Sequence, residues 1–204
     1  MPKITDEKRA MRRTQILEAA WSCFQKQGLH ATTMSDIITA SNLSAGAVYS
    51  YFPSKDELIL AAVKTSLTGL RERVEPLLNA APLPPPARFI EDIARAVTDF
   101  TAREGYDLRR VALLGWSEAQ RNEHLRETMQ VYYMEFRARL ADAVANWKRA
   151  GELRKTADDS DVAKTLLAMI LGFVVQSAIT GDVSAQELAH GLRDLIQREG
   201  ADAE

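Results

Sequence analysis

The sequence predicts an all-α fold of about nine helices, and three observations support that prediction. Apolar residues recur at helical spacing through most of the 204 residues, whereas no alternating pattern long enough for a useful strand is present. Residues that favour helix starts precede these stretches, and glycine, asparagine or proline follows them. A proline-rich segment, residues 79–87, interrupts the pattern and is the one clear linker.

The first helix is predicted over residues 8–27. Its apolar face carries Ile16, Ala20 and Phe24 at spacings of four. Gly28 follows at once and suits the left-handed position after a helix. The sequence therefore predicts a first helix of about five and a half turns, amphipathic along its length.

Two short helices joined by a tight turn come next. Thr33 is suited to cap the first of them, because its hydroxyl can accept a bond from the backbone N–H of Asp36, whose carboxylate completes a capping box. Asn42 tolerates the left-handed conformation that a tight turn needs. Ser44 caps the second helix, and Pro53 ends it.

This arrangement is a helix-turn-helix of minimum length. In its second helix Val48 and Phe52 lie four apart, on one face. The residues left pointing outward are small or polar with two tyrosines: Ala45, Gly46, Ala47, Tyr49, Ser50 and Tyr51. A helix-turn-helix can place its second helix in the DNA major groove, yet many such helix pairs in all-α proteins bind nothing. The pattern alone leaves both interpretations open.

The remaining elements are also predicted to be helices. A fourth helix starts at Ser54, with Glu57 completing the capping box, and runs to Leu78. Five more follow the linker, over residues 87–103, 107–117, 121–150, 159–180 and 184–199. The helix over 159–180 is apolar nearly all round, which requires either a central position or a partner subunit.

Residues 10–55 resemble the N-terminal domain of the TetR family of bacterial transcriptional repressors. The matching stretches are RRTQILEAAWSCFQKQG (12–28), the Thr32-Thr33 entry into the second helix, and AGAVYSYFPSKDELI (45–59). The family's G-x-x-Y-x-Y-F-x-x-K-x-x-L stretch is matched by Gly46, Tyr49, Tyr51, Phe52, Lys55 and Leu58. Asn42 departs from the glycine that family members often carry in the turn, but it can adopt the same backbone angles.

The resemblance implies a DNA-binding domain over 1–53 and an effector-binding and dimerisation domain over 54–204, with the helix over 54–78 connecting them. It implies a repressor that binds a palindromic double-stranded operator. The implied phosphate contacts are Thr33, Tyr49, Tyr51 and Lys55, assisted by Arg12 or Arg13. The implied neighbours of the bases are Ala45, Gly46 and Ala47, and Ser44 and Ser50 complete the interface.

The resemblance also implies a homodimer, in which the last two helices form a four-helix bundle with their twofold mates. The implied dimer contacts are Leu167, Leu171, Val174, Val175, Leu188, Leu192 and Leu195.

A small-molecule effector is expected in the C-terminal half. The candidates to line its pocket are Phe100, Trp116, Met129, Tyr132, Tyr133, Phe136, Phe173 and Gln176. Such side chains suit an ordinary helical core equally well. Tyr132 and Tyr133 are adjacent on a helix and point about 100° apart, so we expect at most one of them to face a shared cavity.

Charge is unevenly distributed. Residues 1–55 hold seven Lys and Arg against four Asp and Glu, a net charge of +3, and the rest of the chain carries −5. A basic N-terminal region suits DNA binding, although a solvated charged face gives the same count. The acidic remainder favours a neutral or cationic, lipophilic effector.

Several classes of protein are disfavoured. The single cysteine, Cys23, cannot form an internal disulfide, and the charged N-terminus lacks an apolar segment typical of a signal peptide, so a soluble cytoplasmic protein is expected. The longest apolar run, 166–175, is shorter than the ~20 residues that span a bilayer, so no membrane partner is expected. The three histidines lack metal-ligand spacing, and no phosphate-binding glycine loop is present, so no enzyme, metal or cofactor is expected.

The sequence leaves open two alternatives to a ligand-responsive repressor. One is a regulator of the same fold that a protein partner, rather than a small molecule, releases from DNA. The other is a dimeric helical scaffold whose helix-turn-helix is vestigial.

Overall fold

The computed structural model describes residues 5–196, which form nine α-helices and one short antiparallel hairpin. The helices are α1 (Asp6–Ala31), α2 (Met34–Ser41), α3 (Ala45–Tyr51), α4 (Lys55–Leu78), α5 (Pro86–Thr101), α6 (Leu108–Glu118), α7 (Glu123–Ala150), α8 (Asp159–Ile179) and α9 (Ala185–Ile196). The all-α prediction is confirmed. The predicted last helix extended to residue 199, and its final three residues lie outside the described part of the chain.

The hairpin corrects one predicted helix. Helix α5 was expected to reach residue 103, but it ends at Thr101 and is followed by β1 (Ala102–Arg103) and β2 (Tyr106–Asp107). Gly105 has φ +84°, which the two-residue turn between these strands accommodates. Strands of two residues are too short to show an alternating sequence pattern, so the helical periodicity continued through them.

Helix α1 is longer than predicted at both ends. Thr5 caps it by accepting a bond from the N–H of Lys8. Gly28 has φ +82° and interrupts the regular helix, as its sequence position indicated, but a further turn continues to Ala31.

Packing divides the chain into two compact units. The first comprises the described residues up to Thr68 together with residues 102–129. It contains the helix-turn-helix, and its buried side chains include Ile16, Phe24, Ile37, Val48 and Leu58, each at most 1% exposed.

The second unit comprises residues 69–101 and the described residues from 130 onward. Its core contains Phe89 and Trp147, whose rings meet edge to face with centroids 5.1 Å apart. The indole N–H of Trp147 donates to the carbonyl oxygen of Pro84 at 2.8 Å. The proline-rich linker is therefore fastened to α7.

Helix α8 is 21 residues long and apolar enough, by length and composition, to cross a bilayer. This length and hydropathy were not recognised from the sequence, because only the uninterrupted apolar run, 166–175, was considered there. Only 28% of the most apolar part of α8 is buried within the described residues. A single helix of this kind is also typical of the core or the subunit interface of a soluble protein.

Candidate nucleic-acid interface

The start of α2 is fixed by a complete capping box. The hydroxyl oxygen of Thr33 accepts a bond from the N–H of Asp36 at 3.2 Å, and the carboxylate of Asp36 accepts one from the N–H of Thr33 at 2.8 Å. Both predicted roles are confirmed. Thr33 is exposed at the positive end of α2, a position that favours a nearby phosphate, but its hydroxyl also donates to the carboxylate of Asp36 at 2.7 Å.

The turn between the two helices has the predicted chemistry. Asn42 adopts the left-handed conformation with φ 54° and ψ 29°. Ser44 caps α3 by accepting a bond from the N–H of Ala47 at 3.3 Å. From α1, the amide nitrogen of Gln15 donates to the carbonyl oxygen of Ser41 at 2.7 Å, which holds the end of α2 against the first helix.

One side of α3 is buried and the other is open. Val48 is fully buried, whereas Tyr49 is 47% exposed. Four of the predicted outward residues, Ala45, Gly46, Tyr49 and Ser50, are exposed, and Ala47 and Tyr51 are half-buried. The open face is thus built mostly from side chains no larger than serine, which lets the helix backbone approach a groove closely.

The basic residues assigned to phosphates are only partly available. Lys55 donates to the carbonyl oxygen of His30 at 2.9 Å. The guanidinium of Arg13 lies 5.5 Å from the ring centroid of Phe52 and 3.4 Å from the hydroxyl of Thr65. Arg12 is half-buried. Contacts from Lys55 and Arg12 to DNA remain predictions.

Sequence reasoning missed a basic cleft beside α3. It has a volume of about 360 Å³ and is lined by Asp6, Arg9, Ala10, Arg13, Ser50 and Tyr51. The signal that could have revealed it is the spacing of Arg9 and Arg13, which are four apart on one helix and hence neighbours on its surface.

A second missed feature is a junction around His30. The imidazole lies 3.2 Å from the carboxylate of Glu118, at the end of α6, and Arg121 contacts the same ring nitrogen. Together with the bond from Lys55, these contacts join the end of α1 to the start of α4, the end of α6 and the turn that follows α6. The partners are far apart in sequence, so no local sequence pattern indicates these contacts.

The capping box lowers the pKa of the Asp36 carboxyl below its ordinary value, because the hydroxyl and the backbone N–H of Thr33 bond to the carboxylate. Burial acts oppositely on the Cys23 thiol and raises its pKa. Cys23 is buried, as the sequence suggested, and is therefore an inert core thiol.

The Asp36 pKa has a testable consequence. The folded-state value lies below the unfolded one, so the carboxylate stabilises the fold above the unfolded value and this contribution is lost as pH falls through the folded value. We therefore expect wild type to melt above Asp36→Asn near neutral pH, with the difference in melting temperature shrinking as the pH falls below about 4. Thermal unfolding followed by circular dichroism measures the difference in melting temperature. The difference between wild type and Thr33→Ala should shrink over the same pH range. A difference in melting temperature that stays constant with pH would contradict the lowered pKa of Asp36.

The candidate effector residues are divided between the two units. Trp116 and Met129 belong to the first, and the other six belong to the second. Met129 and Phe173 are buried, Gln176 is exposed, and Phe136 packs against the core of the second unit. The half-buried residues are Phe100, Trp116, Tyr132, Tyr133 and Phe136.

Phe100 has a specific neighbour. A Cβ atom added to Gly69 would lie 2.8 Å from its ring, so the ring packs directly against the glycine in the middle of α4. Gly69 permits this close approach, which any other residue would disturb.

The candidate dimer residues also differ in burial. Val174 and Leu192 are buried within the chain itself. Leu167, Leu171, Val175 and Leu188 are half-buried, and Leu195 is 84% exposed. Ile179, which was not among the predicted contacts, is 68% exposed. Apolar surface therefore remains open on α8 and α9.

Among residues 5–196, no group of three or more His, Cys, Asp or Glu side chains is arranged to hold a metal ion. An open, small-residue face on a helix whose other side is anchored in a core, with arginines beside it, is the arrangement found in proteins that bind DNA through a helix-turn-helix.

Comparison with known proteins identifies the family. Residues 16–62 match the model of the bacterial regulatory proteins of the tetR family, and residues 86–201 match that of the C-terminal region of BetI-type transcriptional repressors. The chain therefore belongs to the TetR family, and the resemblance seen in its sequence is confirmed.

Individual relatives agree with this assignment. The transcriptional regulator BetI of Rhizobium meliloti is 28% identical over 182 residues, covering 88% of this chain and 83% of the relative. The structure of Salmonella enterica GusR matches with a TM-score of 0.74 and 26% identity, covering 96% of this chain and 97% of that one. A Saccharomonospora viridis regulator solved with choline shares the fold, with a TM-score of 0.74, 24% identity and coverage of 93% and 97%. The relatives are transcriptional regulators, which confirms that the chain is not an enzyme.

Proposed function

We propose that the chain is a homodimeric repressor of the bacterial cytoplasm that binds a palindromic operator and leaves it when a small lipophilic molecule binds. In this proposal residues 1–53 bind DNA, residues 54–204 bind the effector and form the dimer, and α4 connects the two. The observation that carries the proposal is the division of α3 into a buried side at Val48 and an open side at Gly46 and Tyr49.

The open side of α3 supports specific roles in DNA binding. Ala45, Gly46 and Ala47 lie at the start of the helix, which is the end that recognition helices present to base edges. Their small apolar groups suit the methyl group of thymine. Tyr49 is exposed and carries a hydroxyl that suits a phosphate oxygen. Thr33 is exposed at the positive end of α2, which favours a phosphate, although its hydroxyl proton is donated to Asp36.

Dimerisation is supported by the apolar surface on the last two helices. Ile179 and Leu195 are mostly exposed, and Leu171 and Val175 are half-buried, although all four are large apolar residues. Burying such side chains stabilises each by about 1.5–3 kcal/mol, which favours association of two copies. A dimer carries two recognition helices, so two-fold symmetry in the bound DNA is the expected consequence.

The effector is proposed to be a lipophilic cation or a neutral compound. Residues 56–204 carry a net charge of −5 and contain all the tyrosine and tryptophan candidates, Trp116, Tyr132 and Tyr133. Aromatic rings attract cations over their faces, most strongly when water is excluded. The fold relative solved with choline makes choline a natural first probe.

The release step is tested by adding choline, larger tetraalkylammonium ions and a panel of neutral lipophilic compounds to the protein bound to fluorescent operator DNA. We expect one of these cations to lower the operator affinity about 5- to 150-fold, the usual range of allosteric coupling. Linkage requires the operator to weaken binding of that cation by the same factor, which calorimetry measures. Unchanged operator affinity with every cationic and neutral lipophilic compound would contradict a small-molecule effector and favour release by a protein partner.

A further inference from the structure

Ser177, on α8, has a buried hydroxyl group without a hydrogen-bond partner. The residue is 8% exposed, and within residues 5–196 its Oγ atom forms no hydrogen bond. Burying a hydroxyl group in this way costs free energy, because the bonds that it makes with water in the unfolded chain are lost. Unpartnered buried groups are rare in folded proteins, so this one needs a specific explanation.

The other buried hydroxyl and carboxyl groups of the described chain all have partners. Thr32, Ser41 and Thr101 donate to backbone carbonyl oxygens three or four residues earlier, at 2.7–2.9 Å. Glu91 forms an ion pair with an arginine one turn later on α5. Serine in a helix commonly donates to the carbonyl oxygen one turn earlier, but Ser177 does not. Its hydroxyl group is therefore not satisfied by its own helix.

Ser177 lies on the buried side of α8. Ile170, Phe173 and Ser177 follow one another at spacings of three and four, so they share one face of the helix, and all three are buried. Phe173 is one of the residues expected to line the effector site. Ser177 is buried within a single chain, so a partner subunit can reach at most its small exposed remainder. A compound bound beside Phe173 would lie beside this hydroxyl group as well.

We propose that the effector supplies the missing partner, by forming a hydrogen bond between its own hydroxyl or carbonyl group and the hydroxyl group of Ser177. This inference rests on the proposed function and narrows its effector to a lipophilic compound that carries a hydrogen-bonding group. Ligand sites are mostly apolar, with a few polar groups that fix the orientation of the ligand. A compound without the matching group leaves the hydroxyl of Ser177 unpaired and therefore binds more weakly.

The unpartnered state of the hydroxyl group is tested in the ligand-free, full-length protein. Ser177→Ala removes the buried group, so we expect the melting temperature to rise by about 2–4 °C. Ser160→Ala removes an exposed hydroxyl group from the same helix and should change the melting temperature by less than about 1 °C. Thr101→Val removes a buried hydroxyl group that has a partner and should lower the melting temperature.

A Ser177→Ala variant that melts at or below the temperature of wild type would overturn the inference. That result would show that the hydroxyl group already has a partner in the ligand-free protein, such as a buried water molecule.

Two pairs of compounds test the hydrogen bond to the ligand. Choline is compared with n-propyltrimethylammonium, and 2-phenylethanol with n-propylbenzene, because in each pair a methyl group replaces the hydroxyl group. Calorimetry measures the affinity of wild type and Ser177→Ala for all four compounds. We expect wild type to bind the hydroxylated member of one pair about tenfold more tightly than its methyl analogue, and Ser177→Ala to lose that preference.

Equal affinity of wild type for both members of each pair, or a preference that Ser177→Ala keeps, would overturn the inference. Failure of both hydroxylated compounds to bind wild type would overturn it too. The proposed function would survive any of these results if another cationic or neutral lipophilic compound released the operator. It would fail together with the inference only if no such compound did.

Discussion

Replacing Gly46 with glutamate is expected to abolish operator binding without unfolding the protein. A Cβ atom at this position meets nothing within 4 Å, so a longer side chain fits without displacing a neighbour. Gly46 lies in the first turn of α3, where a carboxylate favours the helix. The same carboxylate would point at the groove and at its phosphates. Like-charge contact in an interface costs several kcal/mol, so we expect at least a hundredfold loss of affinity.

Fluorescence anisotropy titration measures this loss, and thermal unfolding shows whether the fold is kept. Gly46→Ala should retain binding within about tenfold and gain up to about 1 kcal/mol in stability, because alanine favours helix. Ala138→Glu adds the same charge to an exposed position on α7 and should leave operator affinity near wild type. If Gly46→Glu bound as tightly as Ala138→Glu, α3 would not be the recognition helix.

Trp147→Ala should have the largest effect on stability. The side chain is only 1% exposed and packs edge to face against Phe89. Removing it leaves a cavity in the core of the second unit, and the carbonyl of Pro84 loses its donor. Substitutions of this kind cost about 3–5 kcal/mol. Urea unfolding of wild type and variant measures the difference.

Trp147→Phe separates packing from hydrogen bonding. Phenylalanine keeps much of the apolar contact but cannot donate to Pro84, so we expect a smaller loss, of about 1–3 kcal/mol. A Trp147→Ala variant that lost no more stability than Trp147→Phe would show that the ring contributes little to this core.

The local features of the helix-turn-helix were predictable from the sequence. The Thr33–Asp36 capping box, the left-handed Asn42 and the Ser44 cap involve residues within three positions of their partners, and each is confirmed. Helical periodicity also separated Val48 from the open face of α3. These features depend on near neighbours, so residue type and spacing suffice to infer them.

Contacts between distant parts of the chain were not predictable. The contact of Lys55 with the carbonyl of His30, which belongs to a different helix, was not predicted, and its contact with phosphate stays a prediction. The cleft around Arg9 and the anchoring of Pro84 by Trp147 likewise depend on how helices pack. A single sequence carries no periodic or spacing signal for such pairs.

The most direct test of the account is selection of bound duplexes from a random-sequence DNA pool by the purified protein at near-physiological salt. A homodimer with two α3 helices should enrich one palindrome whose half-sites lie about one helical turn apart. Gly46→Glu, carried through the same selection, should enrich nothing. Failure of the folded wild-type protein to enrich any sequence would contradict sequence-specific DNA binding and make the helical scaffold the better account.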